Sequence, residues 1–142
     1  MDWVSKRARQ EDALSKGRVK AWDDLLLDLQ SAANSYTREF GARDNASANY
    51  KLNGDAAYVV WEGNFPGQNP RYRSKLNLWK DANWEAIHAT YDGIGVNIPS
   101  LALSFALMED EQVAFVCDGK RISDVCQFLL EPLFFPVVRR SR

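Results

Sequence analysis

Residues 22–40, with the sequence WDDLLLDLQSAANSYTREF, contain the clearest structural signal in the chain. The apolar residues of this stretch recur at steps of three and four, which is typical of one stripe of an α-helix: Trp22, Leu25, Leu26, Leu29, Ala32, Ala33, Tyr36 and Phe40. Asp23, Asp24 and Asp28 lie in or near the first turns, where they favour the positive end of the helix dipole. Gly41 is a C-terminal stop signal. We therefore expect a helix that lays its apolar stripe on a core.

The chain has 142 residues, which is the usual size of one domain. Its hydrophobic share of 46% and aromatic share of 12% provide material for a core and exclude a disordered chain. The helical pattern weakens before residue 22, where Gly17 interrupts it. We expect a partly exposed helical extension at residues 1–20, a single α+β domain at residues 21–138, and a basic tail at residues 139–142.

The period of the apolar residues changes from 3.6 to 2 after Ala46. Asn53-Gly54 predicts a hairpin turn, and the later strands are also separated by short polar connections. Short connections imply antiparallel neighbours, because parallel pairing needs a long crossover. The pattern predicts a meander of about six strands: Tyr50–Leu52, Tyr58–Trp61, Tyr72–Trp79, Trp84–Tyr91, Leu101–Met108 and Val113–Cys117.

The residues after the strands predict a second helix. We expect Asp118-Gly119 to end the sheet, Ser123 to cap the helix, and Pro132 to end or kink it near Leu130. The apolar tail Phe134–Val138 should then pack back on the domain. The expected fold is α+β, with a long N-terminal helix, an antiparallel meander and a C-terminal helix on the same sheet face.

The segment Ser123–Phe135, SDVCQFLLEPLFF, follows a charged amphipathic helix and a meander of alternating polarity. This order of elements, together with the Leu-Leu-Glu-Pro-Leu stretch, resembles a group of short bacterial proteins of uncharacterised function. The resemblance implies one domain and a bacterial cytoplasm. It implies no activity, cofactor or catalytic residue.

Composition also limits the compartment and the class of partner. Two cysteines, Cys117 and Cys126, are too few for a disulfide scaffold, and residues 1–20 contain no apolar segment of a secretory signal. The longest apolar runs are far shorter than the ~20 residues of a membrane-spanning helix. We therefore expect a cytoplasmic protein with buried, inert thiols and no membrane contact.

A nucleic-acid partner is disfavoured by the charge distribution. The formal net charge is −1, and because residues 1–20 and 139–142 carry +3 each, residues 21–138 carry −7. A body of that charge repels phosphate. The basic and aromatic residues around Trp79 have a simpler explanation, which is that the cations pair across strands with Glu62 and Glu85.

The sequence offers little material for an active site. His88 is the only histidine, and its spacing from Glu85 puts the two side chains on opposite faces of a strand, where they do not share a metal. Gly93-Ile94-Gly95 lacks the third glycine of a phosphate-binding loop. The acidic turn Glu109-Asp110-Glu111 is typical of a solvated loop. We expect no catalytic residues, no metal and no cofactor, so that an enzyme is the minority interpretation.

Strand parity indicates one candidate binding surface. If Leu103, Phe105 and the residues in register with them face the helices, the opposite face is left uncovered unless the N-terminal segment or the apolar tail lies on it. The alternation assigns to this face a basic edge, aromatic and imidazole rings, and small or weakly polar side chains: Arg73, Lys75, Trp79, Trp84, His88, Ser104 and Met108.

Two functions fit such a face. The first is a non-enzymatic module that binds a second copy or another protein, with Trp79 and Trp84 as anchors. The alternative is a carrier for a small apolar ligand in a pocket on the same face, with His88 as a polar orienting group.

Overall fold

The computed structural model describes residues 2–63, 72–93 and 99–135. Its first element, helix α1, spans Trp3–Asp44 without a break. It begins at Asp2, whose carboxylate accepts a hydrogen bond from the backbone N–H of Val4 at 3.0 Å. The expected end at Gly41 was wrong, because the helix continues to Asn45, which adopts the left-handed conformation (φ 52°) that terminates helices.

In the described part of the chain, seven strands follow in one antiparallel sheet, and their order in the sheet is their order in the chain. The strands are β1 (Ser47–Asn53), β2 (Ala56–Gly63), β3 (Tyr72–Lys80), β4 (Ile87–Gly93), β5 (Leu101–Leu107), β6 (Val113–Cys117) and β7 (Lys120–Ile122). The predicted meander is therefore confirmed, with one more strand than expected.

Two turns differ from their expected roles. The β1–β2 loop is Gly54-Asp55, one residue later than predicted, because Asn53 pairs with Ala56 and Gly54 takes the positive φ (62°) of a type II′ turn. Asp118-Gly119 does not end the sheet. Both residues have positive φ (53° and 79°), as a type I′ hairpin requires, and the chain returns along β6 as β7.

Helix α2 (Val125–Phe134) is capped by Asp124, whose carboxylate accepts from the N–H of Gln127 at 3.0 Å, and not by Ser123. Pro132 does not end it near Leu130 either. The missing N–H costs one hydrogen bond. Burial of Leu133 and Phe134 in the core offsets this cost and holds the last turn in helical form.

Both helices lie on the same sheet face, as expected. Helix α1 crosses the sheet from β1, where Thr37 bonds the backbone of Ala48, to the β5–β6 turn, where Arg9 pairs with Glu111 at 3.4 Å. The side chains between the layers are fully buried, among them Leu29, Leu76, Ile87, Leu103 and Leu129. The predicted inward parity of these strands is confirmed.

The ends of the chain lie partly outside the described residues. Of the predicted extension at residues 1–20, residues 3–20 form the first half of α1, and Trp3 and Val4 at its start are exposed. Of the apolar tail, Phe134 and Phe135 pack on Tyr36 in α1. The rest of the tail and the basic residues 139–142 lie outside the described part of the chain.

Candidate functional site

The sheet face opposite the two helices, here called the outer sheet face, carries most of the residues that sequence parity assigned to it. At its centre the register sets Trp79 of β3 beside His88 of β4, and His88 beside Ala102 of β5. The Trp79 and His88 rings stack with their centroids 5.4 Å apart. The indole remains 38% exposed, which makes it a large apolar group presented to solvent on an ordered strand.

His88 is held by a second contact. Its Nε2 lies 2.8 Å from Oδ1 of Asp81, which stands in the turn after β3. The carboxylate and the indole together fix the plane of the imidazole ring. Asp81 and Trp79 therefore hold the only imidazole ring of the chain in one orientation on this face.

The other half of the outer sheet face is a polar network. Arg73 pairs with Glu62 at 3.8 Å, which is the cross-strand pair that the sequence suggested. Lys75 Nζ lies 4.4 Å from the ring centroid of Tyr58. The Asn77 amide donates to Thr90 at 3.3 Å and to Asp92 at 2.7 Å. Both signs of charge are present here, so this half of the face is not uniformly cationic.

Ser104 and Met108 lie further along the sheet. Ser104 in β5 is exposed, and its hydroxyl is 3.5 Å from the carbonyl oxygen of Val116. Met108 follows the end of β5, and its backbone N–H donates to the Gln112 carbonyl at 2.8 Å. Ala102 and Ala106 flank Ser104 on the same face, so the side chains in this part of the face are short and weakly polar.

Trp84 was assigned to the wrong side. It is not in a strand but in the turn before β4, with a positive φ of 62°. Because alternation does not continue through a left-handed residue, its ring turns toward the helices, where its centroid lies 6.2 Å from that of Phe105. Lys80 Nζ stands 4.3 Å from the same ring, and Arg18 of α1 donates to the Trp84 carbonyl at 3.2 Å. Trp79 and Trp84 therefore do not form one surface.

No described residue covers the outer sheet face. Helix α1 carries the N-terminal segment on the opposite side, and Phe134 and Phe135 pack against α1. The grooves of about 240 to 500 Å³ in the described structure are likewise lined by α1, α2 and the adjoining strands and turns.

The described residues contain no group of three or more His, Cys, Asp or Glu side chains that could hold a metal ion. Cys117 is buried and Cys126 half-buried, and neither forms a disulfide. Burial, with a smaller effect of Asp118, raises the pKa of the Cys117 thiol. Burial, followed by the charges of Asp28 and Asp124, raises the pKa of Cys126 to about 11. Such thiols are poor nucleophiles at neutral pH.

Three residues that the sequence pattern did not single out lie beside the outer sheet face or at the edge of β1. Asp81 orients His88, and the Thr37 hydroxyl bonds the backbone of Ala48 at the edge of β1. Leu52 is 53% exposed at that same edge. The short polar connection after Trp79 predicted a loop there, but the contact of Asp81 with His88 depends on how the turn folds, which the sequence pattern does not specify.

Comparison of the chain with protein-family models, curated proteins and solved structures finds no match. The resemblance to short bacterial proteins therefore stays a prediction. In the described part of the chain, neither helix combines the length and the apolar character needed to cross a bilayer.

Proposed function

We propose that this chain is a non-enzymatic, cytoplasmic protein-interaction module that self-associates through its outer sheet face. The observation that supports the proposal is the position of Trp79. It stands stacked on His88 and partly exposed, in the middle of a face that no described residue covers. Tryptophans in such positions contribute much of the binding energy at protein interfaces.

The chemistry of the face favours a second copy as the partner. A twofold dimer brings the same surface of two copies together, so the surface has to be complementary to itself. The outer sheet face carries the large aromatic side chain of Trp79 and the short side chains of Ala102 and Ala106. The Trp79 of one copy can therefore contact Ala102 and Ala106 of the other copy. Its polar half contains acidic and basic residues, including Glu62 and Arg73, so opposite charges can pair across the dimer axis.

The carrier hypothesis finds less support. A carrier needs an enclosed apolar cavity for its ligand. The space between the helices and the sheet is filled by core side chains such as Leu29, Leu76 and Leu103. The grooves described above lie on the helical side of the sheet and not on the outer sheet face.

The mass of the protein in solution, measured by light scattering across a concentration series, tests the proposal. Wild type should form a dimer, and Trp79→Glu should be a monomer, because the carboxylate would be buried without a partner. Phe128→Glu is the matched control, since Phe128 is also 38% exposed but lies on α2, on the other side of the sheet. It should leave the dimer intact. A monomeric wild type, or a Trp79→Glu variant that still dimerises, would refute the proposal.

A further inference from the structure

The edge strand β1 has open backbone groups beside an apolar groove. In an antiparallel pair, the backbone groups of alternate residues point toward the partner strand and away from it. Both backbone groups of Ala48 bond to the Thr37 hydroxyl at 2.9 Å, so they point away from β2. Alternation then directs the N–H and C=O groups of Tyr50 and Leu52 to the same open edge. Within the described residues, no hydrogen bond reaches them there.

The side chains next to these groups form a groove. Tyr50 and Leu52 project to the helical side, where they meet Leu26 and Leu27 of α1 across a groove of about 500 Å³. Asp23 and Gln30 also line the groove, which is otherwise apolar, and its borders Leu27 and Leu52 are 64% and 53% exposed. Open backbone groups with side-chain pockets alongside are the two features used when a peptide adds a strand to a sheet.

Lys51 indicates what kind of strand fits. It points to the outer sheet face, opposite Tyr58 of β2, and it has no ion pair among the described residues. A second copy pairing through β1 with Tyr50 opposite Leu52 would place Lys51 opposite Lys51, and like charges directly opposite each other are destabilising. A segment with an acidic residue at that position would instead pair with the lysine.

We infer that the open edge of β1 binds an extended segment of another protein, in which apolar residues facing the groove alternate with acidic residues facing Lys51. The bound segment becomes an eighth strand. The inference concerns a different part of the sheet from the proposed dimer face and does not depend on it.

The probe is a fluorescein-labelled peptide, Ser-Val-Glu-Val-Glu-Val-Ser, with binding followed by anisotropy. Leu52→Pro removes one outward N–H without removing a bond to β2, and it should weaken binding about 10-fold or more. Leu52→Ala keeps the N–H and loses only the groove side chain, so it should weaken binding less than the proline does. Trp79→Glu is the control on the dimer face and should bind as wild type does.

Lys51→Glu keeps the test valid if the proline variant fails to fold. It should weaken binding of the glutamate peptide about 2- to 5-fold and strengthen binding of the same peptide with lysine in place of glutamate. In the complex, the amides of Tyr50 and Leu52 should exchange with solvent at least 10-fold more slowly than in the free protein, while those of Asn49 and Lys51 are protected in both.

Three results would overturn the inference. The first is a wild-type protein that does not bind the glutamate peptide, or binding that is unchanged in both Leu52→Pro and Lys51→Glu. The second is a bound state in which the Tyr50 and Leu52 amides exchange as fast as before. The third is a dimer that dissociates on Leu52→Pro but not on Trp79→Glu, because the occupant of the edge would then be a second copy of this chain.

Discussion

Thr37 allows a graded test of how the first part of β1 is held to α1. Its hydroxyl accepts a hydrogen bond from the Ala48 N–H and donates one to the Ala48 carbonyl, both at 2.9 Å. Ala48 is only 4% exposed, so water reaches these groups poorly. We predict that substitutions at Thr37 reduce the free energy of unfolding in the order Ser, Ala, Val, with valine the least stable.

The loss in free energy of unfolding depends on whether the N–H and C=O of Ala48 keep a hydrogen-bond partner. Serine keeps the hydroxyl and should cost less than about 0.5 kcal/mol. Alanine loses two hydrogen bonds of about 0.5–1.5 kcal/mol each, is partly offset by its better helix propensity, and leaves space for water. We expect a net loss of about 1–2 kcal/mol. Valine has the shape of threonine but presents a methyl group to the buried N–H and C=O, which costs about 1–3 kcal/mol per group.

Urea unfolding followed by tryptophan fluorescence measures these differences, because Trp22 and Trp61 are buried in the core. The Ala48 amide provides a local control, since its hydrogen exchange should accelerate in the alanine and valine variants but not in the serine variant. A valine variant as stable as the serine variant would show that the Thr37 hydroxyl does not anchor the strand.

Two further substitutions test the packing of α1 and the burial of Tyr91. Gly17→Ala should lower the free energy of unfolding in urea by about 1 kcal/mol although alanine favours helices, because the added Cβ overlaps Cγ2 of Val113 in β6; a more stable variant would contradict this close approach. Burial raises the pKa of the Tyr91 hydroxyl, which donates to the Leu129 carbonyl at 2.6 Å, above its usual 10.0. The resulting stability is complete below pH 10 and lost as the pH rises through the raised pKa, so Tyr91→Phe should show a shallower fall in stability above pH 10 than wild type, and equal slopes would count against it.

The sequence predicted both the helical layer and the sheet layer of the fold, because each depends on the periodicity of its apolar residues. The 3.6-residue stripe from Trp22 to Phe40 does pack on the sheet, and the alternation in β3 to β6 does put Leu76, Ile87 and Leu103 in the core. The strand β7 was missed because Asp118-Gly119 is both a stop signal and a hairpin turn. The apolar contact of Ile122 with the core favours the hairpin over the stop.

The candidate site was predicted less completely, because it depends on turns. Trp79 and His88 share a face as expected, since both lie in regular strands. Trp84 lies three residues before Ile87, which forms the last regular pair of β3 and β4 with Lys80, and its left-handed backbone was enough to send its ring to the opposite side. The open edge of β1 could not have been found from alternation, because it depends on where Thr37 of α1 meets the strand.

The two edges of the sheet are protected in different ways, and the difference sets how strongly β1 can bind. Strand β7 has only three residues, two of them the exposed cations Lys120 and Arg121, which is a common protection against pairing. Strand β1 is longer. Thr37 bonds the backbone of Ala48 at one end of its edge, and the N–H and C=O groups of Tyr50 and Leu52, four in all, stay open. Four hydrogen bonds contribute about 2–6 kcal/mol, while association costs roughly 4–15 kcal/mol. Over most of these ranges the cost exceeds the gain, so apolar side chains in the groove between Leu27 and Leu52 have to supply the remaining binding energy. Weak, reversible binding that requires those side chains follows from this balance.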